Sequence, residues 1–592
     1  MGPAARHFHP LAAPQTGLTP DSRRRGRRPA SCCTLCCATV ESALRRTLPF
    51  AAALTLILAA GLAPAQDSRL PDIGSSAGEV ISPKEQSEYG AMTLAQLRHY
   101  DYVLEDPLID GWLQSMGNRL AAASETPKQP FTFFMLRDRQ INAFATLGGY
   151  IGVNAGLVLT ARSEDEVAGV LSHEIAHVTQ AHVLRAVERA KKDSIPILLA
   201  MLGAIAVAQS SGGNSSDDAT MAAVMSAQGL IAQRQIDYTR SNEAEADRIG
   251  IRTLSRSGYD PEGMASFFER MQAASRGNQG GDRDRAPDYL LTHPVTSLRI
   301  TEARERAAKL PKPTVAGADA GMISSNPLLP GSLRLPTAPT RGATGQFDWA
   351  RERLRAFSAN TPAAAIAEYE RIGRGQSGGL NDAQRYGLAV ARLLAGQGAG
   401  AASELTPLLA KHPGDLWITL ALAEAEARSG NAAAADKRFE ALVDSLPSNR
   451  AVALTYAKVL GERNTPASGK RAQAILRPLL ARSSEDPLFQ QTFARASEIA
   501  GDPVRAGEAY AEAAYLNGRP EQALIQLNTL KKRADLDYYA RARIDARIAA
   551  ITPTVLELRR QGVKDEVLNR RLDDRSEARR DRTREGFDAS YR

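Results

Sequence analysis

Residues 171–182 read L-S-H-E-I-A-H-V-T-Q-A-H, and they constrain the chain more tightly than any other stretch. His173 and His177 bracket Glu174 in the pattern H-E-x-x-H. Two histidines four apart can share one ion only on an α-helix, where residues i and i+4 lie on one face. The upstream residues agree, since Ser163 with Glu166 three later predicts a capping box and a helix start. Glu174 lies on a neighbouring edge, where it can reach water on the ion without being a ligand. Zinc brings the pKa of such a water to about 7, and a carboxylate base then takes its proton. After residue 65 the histidines are His99, His173, His177, His182, His293 and His412, so their clustering here is a signal.

A catalytic zinc takes three protein ligands and leaves a fourth position open. His182 is five past His177, about 140° round a helix, and reads as structural. Better candidates lie in S-N-E-A-E-A-D, residues 241–247. Glu243 and Asp247 are four apart on one face, while Glu245 points elsewhere. Either of the two could be the third ligand, and the other could orient a ligating histidine from behind.

The N-terminal stretch carries an address. R-R-T-L-P-F-A-A-A-L-T-L-I-L-A-A-G-L-A-P-A-Q has a basic start, a short apolar run and Ala63-Pro64-Ala65, which predicts a signal peptide cleaved after Ala65. Such peptides begin near the chain start, so translation is expected to begin near Val40, with residues 1–39 a gene-model artefact. All four cysteines, Cys32, Cys33, Cys36 and Cys37, precede the cleavage point, leaving an exported chain without disulfides. Residues 1–65 hold eight basic and two acidic side chains, so of the net +8 only +2 belongs to residues 66–592. A body that close to neutral gives no electrostatic case for nucleic acid.

The remainder divides into a polar leader (66–90), a metallopeptidase domain (91–309), a Pro/Gly/Ala/Thr-rich linker (310–345), helical repeats (346–550) and a charged tail (551–592). The peptidase segment opens with a helical stretch over 93–124. β-patterned F-T-F-F-M-L-R-D and I-N-A-F-A-T-L-G-G-Y-I-G-V-N-A-G-L-V-L follow. Residues 195–208 are apolar but too short to span a bilayer, which suits a core helix or a membrane-surface helix. Beyond the linker, Pro413 and Pro447 are 34 apart, as are Gly396 and Gly430. Ala401, Leu405 and Leu408 align with Ala435, Phe439 and Leu442. That period resembles tetratricopeptide repeats, with N-T-P-A-S-G-K (464–470) read as an inter-helix insertion. The linker is expected to let two cores form separately.

N-A-F-A-T-L-G-G-Y-I-G-V, E-V-A-G-V-L-S-H-E-I-A-H-V and N-E-A-E-A-D-R-I-G together resemble the Ste24/HtpX-type gluzincin metallopeptidases. The resemblance covers roughly residues 85–310. It implies an α+β gluzincin domain, followed here by an all-α tetratricopeptide solenoid, and one zinc per chain. His173, His177 and Glu243 would be ligands, Glu174 the catalytic base and Asp247 the partner that orients a ligating histidine from behind. It singles out His293 in L-T-H-P as a regulatory fourth ligand and Arg299 as a neighbour of the active site. An exposed edge strand beside the zinc would align substrate by strand addition. For a periplasmic member it implies unfolded or misassembled outer-membrane β-barrel proteins as substrates, and contact with the barrel-assembly machinery through the repeats. A non-proteolytic chaperone or scaffold for the same proteins is the rival, which the intact H-E-x-x-H and Glu243 disfavour. A membrane-spanning prenyl-protein-type protease is a second rival, which the single short apolar run disfavours.

Overall fold

The computed structural model describes residues 81–186, 188–189, 239–277, 289, 293–312 and 344–560. The expected signal peptide, the cysteines, the 195–208 run, most of the linker and residues 561–592 lie outside the described residues. Among the described residues no helix is long and apolar enough to cross a membrane.

Helix α1 (Pro83–His99) begins inside the stretch expected to be a leader. Ser82 accepts from the Glu85 amide while the Glu85 side chain reaches back, and Pro83 occupies the first turn. The polar residues of this stretch are therefore a helix start. The helix expected over 93–124 is also two. Asp101 adopts φ 57, Val103 bridges Leu136, and Asp106 caps α2 (Pro107–Ala122). Pro107 forces this break, because a residue before proline is driven out of the helical region.

A three-stranded sheet follows, in the order β1-β3-β2. β1 (Thr132–Leu136) runs parallel to β3 (Tyr150–Asn154), with Phe134 opposite Gly152. β2 (Ala143–Ala145) pairs antiparallel with β3, Phe144 opposite Gly152, and forms the edge. Gly148 and Gly149 turn the chain between them at φ 75 and 83, a region open to glycine at no steric cost. The short α3 (Ala155–Thr160) leads into α4 (Glu164–Thr179), which carries the H-E-x-x-H.

Ser163 caps α4 as expected, but the reciprocal half of the capping box is not made. The Glu166 carboxylate accepts instead from the Arg162 amide at 2.8 Å and from the Arg270 guanidinium. α4 is buried between α2, β2 and α6 (Glu262–Gly277). The helix over residues 239–256, α5, comes unusually close to it. A Cβ at Gly250 would stand 3.1 Å from the His173 amide nitrogen and the Ser172 carbonyl, so glycine permits the approach. α7 (Ser297–Ala308) packs on α6 and closes this half.

The second half is helical throughout. Its helices are α8 (Phe347–Phe357), α9 (Pro362–Arg374), α10 (Asp382–Leu394), α11 (Gly398–Lys411), α12 (Leu416–Arg428), α13 (Ala432–Ser445), α14 (Arg450–Arg463) and α15 (Pro466–Leu476). α16 (Pro487–Ala500), α17 (Pro503–Leu516), α18 (Pro520–Lys531) and α19 (Tyr538–Arg560) complete it. From α9 on, each helix packs on the next in sequence, and α15 packs on α16 across the six-residue 3-10 stretch Arg477–Arg482. Helix starts at 398 and 432, at 416 and 450, and at 432 and 466 are each 34 apart. N-T-P-A-S-G-K is therefore not an insertion. Asn464 ends α14 in the left-handed conformation, Thr465 caps α15, and the period is interrupted later, by Arg477–Arg482. Residues 551–560 are not tail, because Ile551 and Val555 are buried in α19.

The expectation of two separate cores does not hold. One contiguous apolar cluster includes Leu108, Trp112 and Val158 of the first half and Phe347, Leu354 and Val452 of the second. The Trp112 and Phe347 rings lie 6.4 Å apart. Charges cross the same seam. Asp106 takes a bidentate pair from Arg353 at 2.8 and 2.6 Å, and Arg139 donates to Ser358, Glu368 and the Arg355 carbonyl. The sequence concealed this because the linker composition says nothing of the distance between the elements it joins.

Candidate metal centre

The site is built on three helices and one loop. α4 supplies His173, Glu174 and His177; α5 supplies Glu243 and Asp247; the loop before α7 supplies His293, and α7 supplies Arg299. All seven residues singled out in the sequence come together. His173 is fully buried and Glu174 nearly so, whereas 12% of the His177 and His293 side chains stays accessible.

Four side chains converge on one point: His173, His177, Glu243 and His293. His173 Nε2 lies 3.0 Å from His177 Nε2 and 3.4 Å from His293 Nδ1. Glu243 Oε1 lies 3.3 Å from His177 Nε2 and 2.8 Å from His293 Nδ1. A tetrahedron of ligands about 2.0–2.1 Å from a zinc ion has edges of about 3.3–3.4 Å. The donors present, three imidazole nitrogens and a carboxylate oxygen, thus fit zinc in type and in spacing.

Charge points the same way. Burial opposes a positive His173, but the Asp247 and Glu243 carboxylates outweigh it and push its pKa up to about 10. Burial would raise Glu243, yet hydrogen bonds with His173, His177 and His293 hold it well below the usual carboxylate range. Burial pulls His177 down to about 3 against the pull of Glu243. A pocket that strengthens proton binding by a buried imidazole attracts cations generally.

Around this set stand residues that hold it. Asp247 Oδ1 faces His173 Nδ1 at 3.0 Å, which leaves the His173 Nε2 lone pair directed at the centre. Arg299 grips Asp247 through Nε and a terminal nitrogen at 2.7 and 2.8 Å. Its other terminal nitrogen lies 2.8 Å from Glu243 Oε2 and donates to the Pro294 carbonyl at 2.9 Å. Arg299 therefore ties the carboxylates of α5 to the loop that presents His293. Glu174 stands beside the group, with Oε1 3.8 Å from His293 Nε2. Burial raises its pKa, with His293 and His173 pulling it back, and a raised carboxyl pKa suits a group that both takes and returns a proton.

One residue of the site carries no mark in the sequence. Tyr289 is buried beside Glu174 and stacks on the His293 ring at 4.7 Å. It lies four before His293 and 115 after Glu174 with no motif to mark it. His182, expected to be structural, is buried against the outer face of His177. His182 Nδ1 lies 2.9 Å from His177 Nδ1, and His182 Nε2 lies 3.1 Å from Glu245. Glu245 does point away from the centre, as expected, and this is where it points.

The signature of Peptidase family M48 matches residues 107–307. The Beta-barrel assembly-enhancing protease of Yersinia pestis is 31% identical over 514 residues, covering 86% of this chain and 96% of the relative. The protein of the same description in Escherichia coli strain K12 is 30% identical over 479 residues, covering 81% and 90%. A Vibrio cholerae relative is 42% identical over 264 residues, covering 44% of this chain and 52% of the relative.

Proposed function

From the premise that the chain belongs to peptidase family M48, as a relative of the beta-barrel assembly-enhancing proteases, we propose how its residues perform zinc-dependent peptide hydrolysis, and on what. M48 peptidases are zinc metalloendopeptidases. In this chain His173, His177 and Glu243 would hold the ion, because their donor atoms converge at tetrahedral spacing. Zinc bound there would polarise the scissile carbonyl and acidify the attacking water.

Glu174 takes the proton of that water and returns it to the departing amide nitrogen. Asp247 and Arg299 fix the His173 ring and the Glu243 carboxylate, so that neither needs to reorganise as charge develops. The edge strand β2 lies against α4, and its outer backbone side, which pairs with no other strand among the described residues, would take an extended substrate by strand addition. His293 would gate the site by supplying a further donor to the ion, because its Nδ1 converges with the donor atoms of His173 and Glu243.

The substrates are unfolded or misassembled outer-membrane β-barrel proteins, met in the periplasm after export and signal-peptide removal. The helical half, read as tetratricopeptide repeats, contacts the barrel-assembly machinery. The name of the relatives, beta-barrel assembly-enhancing protease, and their coverage of 90% or more support this reading. The convergence of His173, His177, Glu243 and His293 beside Glu174 carries the catalytic part. Outer-membrane protein profiles of cells carrying wild type or Glu174→Gln test both. Misassembled barrel proteins should accumulate with Glu174→Gln, whereas unchanged profiles would turn the reading to a non-proteolytic scaffold.

A further inference from the structure

The His173 ring is backed by Asp247, whereas among the described residues His177 is backed by another imidazole. Its Nε2 faces the centre, 3.0 Å from His173 Nε2 and 3.3 Å from Glu243 Oε1. Its Nδ1 faces the Nδ1 of His182 at 2.9 Å. His182 is 3% exposed, and its Nε2 lies 3.1 Å from Glu245 Oε2. The same oxygen accepts from Arg185 at 3.0 Å, and Arg185 also donates to the Gln180 carbonyl. Glu245 is thus held from two sides as a hydrogen-bond acceptor.

We propose that His182, anchored by Glu245 and Arg185, is a positioning residue that selects the metal-binding tautomer of His177. The inference rests on the reading that His177 is a zinc ligand. A ligand needs its Nε2 lone pair, so the single ring proton of His177 sits on Nδ1. The atom it meets is His182 Nδ1, which must then accept. The remaining proton of His182 falls on Nε2, where Glu245 receives it. Every proton in this chain of contacts has one consistent place, and Glu245 sets them all. The opposite assignment would leave two N–H groups, or two lone pairs, facing each other in a buried site.

The arrangement also explains two features of the sequence. A histidine five past His177 cannot share the helical face of the motif, but Ala181 adopts φ 51 and breaks the helix. That break swings His182 back onto the His177 ring. Glu245 sits between Glu243 and Asp247 on α5, so it faces away from the ion and toward His182. One helix therefore supplies a ligand, the partner of His173 and, through His182, the partner of His177.

The test is zinc affinity of the full chain, measured by competition with a chromophoric chelator, together with melting of the zinc-free protein. His182→Leu removes the acceptor and should weaken zinc binding about 10–100-fold, the range found for residues that back metal ligands. His182→Asn places an amide oxygen where Nδ1 was and should recover affinity to within about threefold of wild type. Zinc-free melting should be the same for both variants. Should His182→Leu fail to fold, His182→Gln replaces it, since its amide reaches the Nε2 position and misses His177. Equal zinc affinity in wild type and His182→Leu, or equal loss in His182→Leu and His182→Asn, would overturn the proposal. So would a drop in zinc-free melting with affinity unchanged, which marks a clamp between helices. The underlying zinc reading fails separately, if wild type binds no zinc or if His177→Ala keeps wild-type affinity.

Discussion

Two clusters of charge are buried in this molecule, and they are satisfied in opposite ways. At the metal centre, Glu243 and Asp247 share one guanidinium, Arg299, Glu174 stands beside His293, and three imidazoles direct ring nitrogens at a common point. At the seam between the halves, Asp106 is matched bidentately by Arg353, and Asp486 bidentately by Arg450. The seam closes on itself, whereas the centre has donor atoms to spare. The comparison teaches that a buried polar cluster announces chemistry through its surplus, and that a balanced cluster announces attachment.

The largest effect expected is on turnover. Glu174→Gln leaves the ligand set intact and should keep one zinc per chain and an unchanged melting temperature. Cleavage of an unfolded barrel protein should fall about 10²–10⁴-fold, the usual contribution of a general base. Loss of zinc in this variant would place Glu174 among the ligands and redraw the centre.

Breaking the seam should act on stability and spare the chemistry. Arg353→Met strands the Asp106 carboxylate, which is 2% exposed, and should cost about 3–5 kcal/mol. Replacing Asp106 as well should restore part of that loss, less its cap on α2. Denaturant melts of the single and double variants measure both values. Zinc content of the folded fraction should not change, and a change would mean that the two clusters are one.

The third effect tests the surplus directly. If His293 closes the centre about nine times in ten, His293→Ala should raise cleavage of an unfolded protein about tenfold at equal zinc occupancy. Equal or lower activity would make His293 a substrate-binding or structural residue.

The centre was far more legible than the seam. His173, Glu174 and His177 stand within five residues, and helical geometry alone places them together. Glu243 and Asp247 are four apart, which gives their shared face but not which of them touches the ion. His293 and Arg299 came from resemblance, because nothing local marks them. Tyr289 had neither route. His182 was expected to be structural, and it is not among the converging donors; its contact with His177 was hidden because Ala181 breaks the helix between them. The seam was invisible for a different reason. Asp106 and Arg353 are 247 residues apart, and each is an ordinary residue in its own helix. The 34-residue period was readable from Gly396 and Gly430, both at positive φ, but not what the repeats pack against.

The seam has one imperfect member, and it makes the smallest prediction. Asp110 is one turn beyond Asp106 on α2, and its single ion pair is with Arg450 at 3.1 Å. Arg450 is already engaged twice by Asp486. Burial therefore dominates at Asp110, and with Asp106, Glu105 and Asp486 nearby it pushes the pKa up to about 7. Asp106, with its own guanidinium, moves the other way, below the usual range despite its burial. In the unfolded chain Asp110 titrates near about 3.9. Between those values the folded state holds more protons than the unfolded one, so stability falls as pH rises from about 4 to 7. Asp110→Asn removes this dependence. The variant should match wild type at pH 3, where Asp110 carries its proton in the folded and the unfolded chain alike, and exceed it at pH 8. A quarter of the side chain reaches solvent, so the difference should be about 1–2 kcal/mol, less than the full shift would give. Thermal melts of both proteins at the two pH values decide it. A variant less stable than wild type at pH 8 would show that Arg450 holds Asp110 as firmly as Arg353 holds Asp106, and the seam would then have no weak point.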